Sequence, residues 1–307
     1  MKIFLCEYIH PDARTMLAAR AELIDDWARI GEADGILNRN LNIDAALLER
    51  CPSLKVIGIH GTGTDGVDLA AARAKGVAVV NTPGQNAGAV AELIVLLALE
   101  GFRKAYLADR AIQSGVPYPT GAQALRGTEL GGKTLGLVGC GDIALRAAGI
   151  LRRGFGMRVI GWSRSLTPEK AAALEIERCG SIREVFAGAD VVNIGLALNE
   201  DTRGIIGAAE LAAAKPGCLL INTARGALVD EAALYAALKN GPLGAAACDV
   251  LAQEPPTRSD PLTELPNFLA TPHIGANTEE ALRRVGCMTA QQMLDVLDGK
   301  TPENLCI

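Results

Sequence analysis

The sequence predicts an α/β protein built from two doubly wound parallel-sheet domains. Short apolar runs alternate with longer helical stretches along the whole chain, as is typical of a parallel sheet that helices cover on both faces. The length of 307 residues exceeds the usual size of a single hydrophobic core, so two domains are expected. A composition of 49% hydrophobic and 21% charged residues indicates a well-packed soluble protein.

The first third of the sequence contains four predicted strands separated by helical stretches. They are Lys2–Cys6, Gly35–Arg39, Val56–His60 and Val77–Asn81. The first run lacks the cleavage site of a signal peptide, so we interpret it as a strand. A long helix is predicted from Gly84 to Ser114, and its apolar part is too short for a membrane span. The Gly- and Pro-rich stretch from Gly115 to Gly121 is expected to end this helix.

The remaining sequence predicts a second alternating unit with six strands. They are Thr134–Gly139, Arg158–Gly161, Val191–Gly195, Leu219–Asn222, Ala245–Val250 and Phe268–Thr271. A helical stretch from Thr278 to Leu297 follows the last of these strands. We expect this helix to pack back on the first domain, which would make that domain discontinuous in sequence.

A Gly-rich turn follows the first strand of the second unit. Gly139, Gly141 and Ala144 form a Gly-x-Gly-x-x-Ala pattern before a helical stretch. The glycines would let a pyrophosphate approach the first N–H groups of that helix. The pattern alone is also compatible with a plain strand-to-helix connection, but the strand that follows provides the βαβ context of a dinucleotide site. The residues of this turn predicted to bind the cofactor are Gly139, Gly141, Asp142 and Ile143.

These observations define two expected domains. Residues 101–277 are predicted to form a Rossmann domain that binds a dinucleotide. Residues 1–100 plus 278–307 are predicted to form a smaller, flavodoxin-like domain that binds the substrate and contributes to catalysis.

The end of the second Rossmann strand indicates which dinucleotide binds. An acidic residue there would accept hydrogen bonds from the ribose hydroxyls, but this sequence has Ser163, Arg164 and Ser165. An arginine beside hydroxyl side chains can pair with a 2′-phosphate. We therefore predict NADP as the preferred cofactor and NAD as the alternative; the plainer interpretation is that Arg164 is a solvated loop residue.

Charge and cysteine usage exclude several classes of partner. The formal net charge is −5, and charges of both signs are interspersed, so we expect neither nucleic acid nor a membrane as a partner. The eight cysteines include no Cys-x-x-Cys pair. We therefore expect no metal site and no disulfides, and we predict a cytoplasmic protein.

Each of the last three predicted strands is followed by a residue suited to carboxylate binding or proton transfer. Arg225 offers a planar fork for a carboxylate. His273 is a natural proton donor near neutral pH, and Glu254 could accept its other ring N–H. Taken singly, these residues are also compatible with a surface ion pair, a turn histidine and a solvated carboxylate. Together, at the edge where open α/β sheets bind ligands, they favour hydride transfer to a 2-oxo acid.

Six stretches in order along the chain resemble the D-isomer-specific 2-hydroxyacid dehydrogenases. They are GTGTDGVD (61–68), NTPGQNAGAVAE (81–92), GTELGGKTLGLVGCGDIA (127–144), NTARGALVD (222–230), DVLAQEPP (249–256) and TPHIGANT (271–278). The resemblance implies that Arg225, Glu254 and His273 are catalytic and that Asp249 holds the nicotinamide carboxamide.

The resemblance also implies further contacts for substrate and cofactor. Backbone N–H groups around Thr62 and Gly63 would bind the substrate carboxylate opposite Arg225, and Thr223 and Ala224 would contact the cofactor. A homodimer formed through the nucleotide domains is also implied.

Three positions depart from the pattern of the family. Ala144 replaces the third glycine of the turn, where only close helix packing is required. Gly195 and Ala197 stand where relatives usually carry a His and a Pro. Ser163 with Arg164 replaces the usual acid, as in the glyoxylate/hydroxypyruvate reductases of the family that use NADPH.

We therefore predict an enzyme that reduces a small 2-oxo acid of the glyoxylate or hydroxypyruvate type with NADP(H). A short D-3-phosphoglycerate dehydrogenase is the alternative; it would require extra cations for the phosphate, of which Arg39 is one candidate. A scaffold that binds a dinucleotide without turnover is a third interpretation, and the presence of Arg225, Glu254 and His273 argues against it.

Overall fold

The computed structural model describes residues 1–115, 125–257 and 260–307. The chain divides into two compact units, of which the first comprises Met1–Ala89 with Ala276–Ile307 and the second comprises Val90–Gly275. The sequence placed these divisions after residues 100 and 277. Most of the predicted helix-ending stretch, residues 116–121, lies outside the described residues. Within the described ranges, no helix combines the length and the hydropathy needed to cross a membrane.

The described residues form twelve strands and eleven α-helices, together with three short 3-10 helices. The strands are β1 (Lys2–Leu5), β2 (Glu22–Ile24), β3 (Gly35–Asn38), β4 (Val56–Ile59), β5 (Ala78–Val80), β6 (Thr134–Val138), β7 (Arg158–Trp162), β8 (Glu177–Arg178), β9 (Val191–Ile194), β10 (Cys218–Asn222), β11 (Leu243–Cys248) and β12 (Phe268–Ala270). The helices are α1 (Pro11–Ala18), α2 (Ala45–Glu49), α3 (Leu69–Ala74), α4 (Ala87–Arg103), α5 (Ala105–Gln113), α6 (Asp142–Phe155), α7 (Pro168–Ala173), α8 (Ile182–Gly188), α9 (Ala208–Ala212), α10 (Glu231–Asn240) and α11 (Glu279–Leu297).

The first unit is built on a five-stranded parallel sheet with the order β2-β1-β3-β4-β5. This is the flavodoxin-like order, as the sequence predicted. Strands β3 and β4 are buried along their whole length because helices cover both faces of the sheet. The edge strand β2 was not predicted, since it has only three residues and Ile24 is its single fully buried side chain.

The last helix, α11, packs directly on the first sheet, which confirms the predicted return of the chain. A β-carbon at Gly58 of β4 would lie 2.4 Å from the sulfur of Met293 and 2.7 Å from a methyl group of Thr289. The glycine at this point of the strand therefore lets the side chains of α11 approach the sheet closely. The helix begins after Thr278, whose hydroxyl accepts a hydrogen bond from the N–H of Ala281 at 3.2 Å.

The second unit is built on a seven-stranded parallel sheet with the order β12-β11-β10-β9-β6-β7-β8. If β6 is counted as the first strand, this is the Rossmann order 3-2-1-4-5-6 with one strand added beyond the sixth. Both halves of the predicted fold class are therefore confirmed. The sequence missed β8, which consists of two exposed residues and has no apolar signal.

The prediction of one continuous helix from Gly84 to Ser114 is wrong. Helix α4 begins at Ala87, and Lys104 then interrupts the helical path with a left-handed φ of 56° before α5 begins. The returning chain explains the break, because the N–H of Thr128 donates to the carbonyl of Phe102 at 2.8 Å. A carbonyl engaged by a distant segment marks the end of a helix.

Candidate active site

The Gly-rich turn after β6 has the geometry of a phosphate cradle. Gly139 has a φ of 97°, and a β-carbon there would lie 2.5 Å from the carbonyl oxygen of Gly195. The backbone therefore requires glycine at this position. Gly141 is the N-cap of α6, and a β-carbon there would meet no atom within 4 Å. The first N–H groups of α6, beginning with Asp142 and Ile143, are thus approachable by an anion.

The departures at Ala144 and Gly195 belong to one packing arrangement. Ala144 is buried at 1% exposure. A β-carbon at Gly195 would lie 3.3 Å from the carbonyl oxygen of Gly139 and 3.4 Å from the β-carbon of Ala144. The helix, the turn and the end of β9 are therefore packed closely, with small residues at all three positions.

The segment Ser163–Ser165 lies beside this turn. The N–H of Gly139 donates to the carbonyl of Trp162 at 2.8 Å, which joins the turn to the end of β7. The hydroxyls of Ser163 and Ser165 lie 3.3 Å apart. Arg164 is 69% exposed and lies 3.8 Å from the carboxylate of Asp201, which is 82% exposed. Such an exposed pair is weak, so the guanidinium can exchange this partner for another anion.

Asn222 shapes the loop that carries Arg225. It lies at the end of β10 and is buried at 1% exposure. Its side-chain oxygen accepts from the N–H of Ala224 at 3.0 Å, and its amide donates to the carbonyl of Arg225 at 2.9 Å. These two bonds enclose Thr223 in a tight turn. The guanidinium of Arg225 also donates to the carbonyl of Ala224 at 2.7 Å. Asn222 was not among the predicted site residues, although an Asn at a strand end was an available signal.

The next residue, Gly226, brings the Arg225 loop against the loop that carries Glu254. A β-carbon at Gly226 would lie 1.9 Å from the carbonyl carbon of Leu251 and 2.3 Å from the backbone nitrogen of Ala252. The two backbones are therefore in direct contact. Gly226 was also not among the predicted site residues.

Glu254 and His273 form a hydrogen-bonded pair at the ends of two neighbouring strands, β11 and β12. The distance between Oε2 of Glu254 and Nδ1 of His273 is 2.8 Å. The other carboxylate oxygen accepts from the N–H of Leu251 at 3.0 Å. Because a carboxylate accepts the Nδ1 proton, Nε2 of His273 is the nitrogen left for proton exchange.

The pKa of Glu254 lies below its ordinary value. Burial alone would raise this pKa, but the hydrogen bond and charge of His273, the N–H of Leu251 and the charge of Arg225 together lower it. Glu254 therefore stays ionised near neutral pH and can stabilise a positive charge on His273.

Asp249 holds the turn on which His273 lies. Its carboxylate is buried at 2% exposure and accepts from the hydroxyl of Thr271, from the N–H of Ile274 at 2.8 Å and from the N–H of Gly275 at 2.7 Å. His273 has a left-handed φ of 54°, an uncommon conformation that its surroundings must impose. A nicotinamide contact by Asp249 stays a prediction.

Thr62 and Gly63 lie in the first unit, on the loop that follows β4. The carbonyl of Thr62 accepts from the side-chain amide of Asn81 at 2.8 Å. The preceding carbonyl, that of Gly61, accepts from the backbone N–H of Thr82 at 2.8 Å and from its hydroxyl at 3.1 Å. Asn81 and Thr82, which follow β5, therefore hold the loop after β4 through its carbonyl oxygens.

Two basic side chains lie at the same edge of the first sheet. Arg39 follows β3, and His60 follows β4. His60 is buried at 9% exposure, and its Nε2 has no hydrogen-bond partner in the described part of the chain. Burial, and then the charge of Arg39, lower the pKa of His60 to about 4. His60 is therefore neutral at physiological pH and adds no cation to this edge.

The second unit thus brings most of the predicted residues to one edge of its sheet. Carboxyl ends of parallel strands share an edge, and β6, β7, β10, β11 and β12 each contribute a loop there. Arg225, Glu254 and His273 follow three adjacent strands, and the Gly-rich turn with Ser163–Ser165 follows two others.

Residues 95–275 match the family described as "D-isomer specific 2-hydroxyacid dehydrogenase, NAD binding domain". The chain belongs to this family. The resemblance drawn from the six sequence stretches is therefore confirmed. The match covers more than half of the chain and indicates a nicotinamide dinucleotide as cofactor.

Two relatives show the range of activities among similar D-2-hydroxyacid dehydrogenases, and both are named as oxidoreductases. A D-3-phosphoglycerate dehydrogenase of Methanocaldococcus jannaschii is 36% identical over 99% of this chain and 59% of its own length. A glyoxylate reductase of Aeropyrum pernix is 34% identical over 99% of this chain and 95% of its own length. The chain spans roughly half to three fifths of the length of the Methanocaldococcus jannaschii relative and of the similar D-3-phosphoglycerate dehydrogenases of Mycobacterium leprae and Archaeoglobus fulgidus.

Solved structures share the whole fold. The TT0316 protein of Thermus thermophilus superposes with a TM-score of 0.90 at 34% identity and covers 100% of both chains. The NADPH-dependent glyoxylate/hydroxypyruvate reductase SmGhrB of Sinorhizobium meliloti, in complex with NADP and malonate, superposes with a TM-score of 0.87 at 26% identity and covers 99% of this chain and 96% of its own.

Proposed function

We propose that the protein reduces a small 2-oxo acid of the glyoxylate or hydroxypyruvate type to the corresponding 2-hydroxy acid with NADP(H). The observation that carries this proposal is the 2.8 Å pair of Glu254 and His273, which follow β11 and β12, beside the strand β10 that Arg225 follows. A proton donor, the group that orients it and a carboxylate-binding cation are the protein groups that this reduction requires. The relatives named as glyoxylate reductases support the substrate class.

Each of the three side chains has a distinct role in the proposed reaction. Arg225 binds the substrate carboxylate and so orients the carbonyl carbon. When bound, the nicotinamide supplies the hydride that adds to this carbon. His273 gives its Nε2 proton to the carbonyl oxygen as the C=O bond is reduced. Glu254 accepts the hydrogen bond of the Nδ1 proton, which stays on the ring, and stabilises the imidazolium before transfer. In the first unit, the N–H groups of Thr62 and Gly63 are proposed to bind the substrate carboxylate.

The cofactor proposal depends on the fit of the cradle and on Arg164. The positive φ of Gly139 and the open space beside Gly141 suit a pyrophosphate. Ser163, Arg164 and Ser165 offer two hydroxyls and a cation for a 2′-phosphate, and they present no carboxylate to repel it. We also propose three further cofactor contacts, which are Thr223 and Ala224 directly after β10 and Asp249 directly after β11.

A D-3-phosphoglycerate dehydrogenase activity is the second candidate, which the 36% identical relative favours. A substrate phosphate requires cations, and at the edge of the first sheet Arg39 is one, whereas His60 is held neutral. We therefore rank reduction of unphosphorylated acids first.

Initial rates test the ranking. The purified protein is assayed with glyoxylate, hydroxypyruvate and 3-phosphoglycerate, each with both cofactors in the matching redox state. We expect reduction of the first two acids with NADPH. Turnover of 3-phosphoglycerate alone with NAD would favour the second candidate, and cofactor binding without turnover of any acid would favour a scaffold.

Further proposals concern domains, assembly and compartment. We propose that the first unit binds substrate, that the second binds the cofactor, and that two copies associate through their nucleotide domains. Light scattering at several concentrations tests the dimer, since a constant monomer mass would contradict it.

We also propose that the protein is cytoplasmic. All eight cysteines are free thiols, which supports a reducing compartment.

A further inference from the structure

Glu231 connects helix α10 to the loop that carries Glu254. It is the first residue of α10 and lies half-buried. Its Oε1 accepts the backbone N–H of Ala252 at 2.7 Å, across 21 positions of sequence. A hydrogen bond to an ionised acceptor is stronger than one between neutral groups.

This bond has no function in capping the helix. Asp230 is the N-cap, and its carboxylate accepts from the N–H of Ala233 at 3.1 Å. The carboxylate of Glu231 is therefore available to the loop. It engages the loop two residues before Glu254.

Two contacts hold the Leu251–Ala252 peptide of this loop, one at its carbonyl group and one at its N–H group. Gly226 packs against the carbonyl of Leu251, and Glu231 binds the N–H of Ala252. The N–H of Leu251 in turn donates to Glu254 at 3.0 Å, and Glu254 binds Nδ1 of His273 at 2.8 Å. A continuous series of backbone and side-chain contacts therefore runs from Glu231 to the imidazole.

We propose that Glu231 is a positioning residue that sets the alignment of the Glu254–His273 pair through the N–H of Ala252. This inference rests on the proposed function for the roles of Glu254 and His273. Glu231 itself contacts neither of these side chains in the bonds above. It acts by fixing the Leu251–Ala252 peptide, which directly follows the N–H of Leu251 that donates the second hydrogen bond to Glu254.

Two substitutions separate a positioning role from a loss of charge. Glu231→Ala removes the acceptor, whereas Glu231→Gln keeps an oxygen that can accept the same N–H. Glu280→Ala is the matched control, because Glu280 is also an acidic first-turn residue, in α11, but it is exposed and no hydrogen bond ties it to another loop within the described residues. Loss of alignment should lower kcat of Glu231→Ala about 10-fold with little change in KM.

The pH profile provides a readout that a purely structural role would not move. The groups that lower the pKa of Glu254 are His273, the N–H of Leu251 and Arg225. A carboxylate with a lowered pKa supports activity above that pKa, and the activity is lost as the pH falls through it. Misalignment in Glu231→Ala weakens these contacts, so the acid limb of kcat/KM should move to higher pH. Glu231→Gln and Glu280→Ala should keep the limb of the parent protein.

Hydrogen exchange tests the contact independently of turnover. Mass spectrometry of the peptide that covers residues 250–257 should show faster exchange of the Ala252 amide in Glu231→Ala and protection in Glu231→Gln. If the parent protein reduced no 2-oxo acid, the proposed function would fail. The exchange result would still test the hydrogen bond between Glu231 and the N–H of Ala252.

Three outcomes would overturn the inference. The first is a Glu231→Ala protein with the parent kcat and acid limb. The second is a Glu231→Gln protein as impaired as Glu231→Ala, because the acceptor oxygen is then not what matters. The third is unchanged exchange of the Ala252 amide in Glu231→Ala.

Discussion

The loops after β10–β12 and the turn after β7 lie at one edge of the same sheet but are built differently. Arg225, Glu254 and His273 are held by Asn222, Gly226 and Asp249, whose contacts are hydrogen bonds from buried side chains to backbone groups or direct backbone packing. Arg164 is 69% exposed, and its ion pair reaches another exposed side chain at 3.8 Å. The groups proposed for chemistry are therefore fixed, while the group proposed for cofactor choice is adaptable. Substitutions at the fixed loops should alter the rate, and those at the exposed turn should alter only the choice of cofactor.

The substitution His273→Ala should have the largest effect. It removes the proposed proton donor and leaves its supporting turn in place, so kcat should fall by about two orders of magnitude or more, the scale of lost general acid catalysis. Steady-state kinetics with the best 2-oxo acid measures this, and circular dichroism controls for folding. Normal turnover would refute the assignment.

The substitution Gly226→Ala should disturb stability and rate together. Its β-carbon would lie 1.9 Å from the backbone of Leu251, so the two loops must separate. We expect a loss of about 2–3 kcal/mol in the free energy of unfolding, the scale of overpacking a core, measured by urea titration. Gly154→Ala in α6 is the matched control, since a β-carbon there meets no atom within 4 Å. Equal stability of the two variants would mean that the close approach is not required.

The substitution Arg164→Ala should change cofactor preference without changing the chemistry. Loss of one charge-assisted contact to a 2′-phosphate should raise KM for NADPH about 10- to 100-fold, while KM for NADH stays nearly constant. The measurement is KM for both cofactors at saturating acid. A parent protein that prefers NADH would contradict the proposal before the variant is made.

The substitution Asp201→Asn should have the smallest effect of the series. It removes the exposed carboxylate that lies 3.8 Å from Arg164, an interaction worth at most about 1 kcal/mol. The Kd of NADPH should therefore fall by no more than about 5-fold. Fluorescence titration with NADPH measures the change, and weaker binding in Asp201→Asn would show that Asp201 supports rather than competes for the cofactor.

Much of the fold was predictable because buried parallel strands have a strong local signal. Runs such as Val191–Ile194 are apolar and fully buried, and the Gly-rich turn marks the start of the Rossmann unit. The edge strands β2 and β8 have no such run, since they carry exposed charged residues. The break at Lys104 was unpredictable for another reason, because it depends on a hydrogen bond from Thr128, 26 residues further on from Phe102.

The candidate site was also predictable only in part. Residue types with the required chemistry stand at strand ends, so Arg225, Glu254 and His273 could be named as candidates from the sequence, and the structure places them after three adjacent strands. The residues that support them could not be named in this way. Gly226 and Glu231 act on a loop more than 20 positions away, and that contact exists only after folding.

The close approach of Gly139 and Gly195 bears on how this cofactor site could be redesigned. A histidine placed at position 195 would bring its β-carbon to 3.3 Å from the carbonyl oxygen of Gly139 and 3.4 Å from the β-carbon of Ala144. The glycine turn would have to shift by a few tenths of an ångström, which is about the overlap at these distances, before the histidine could be accommodated. The two loops are therefore one module for protein engineering, and a cofactor loop transplanted from a relative should be moved together with its glycine turn.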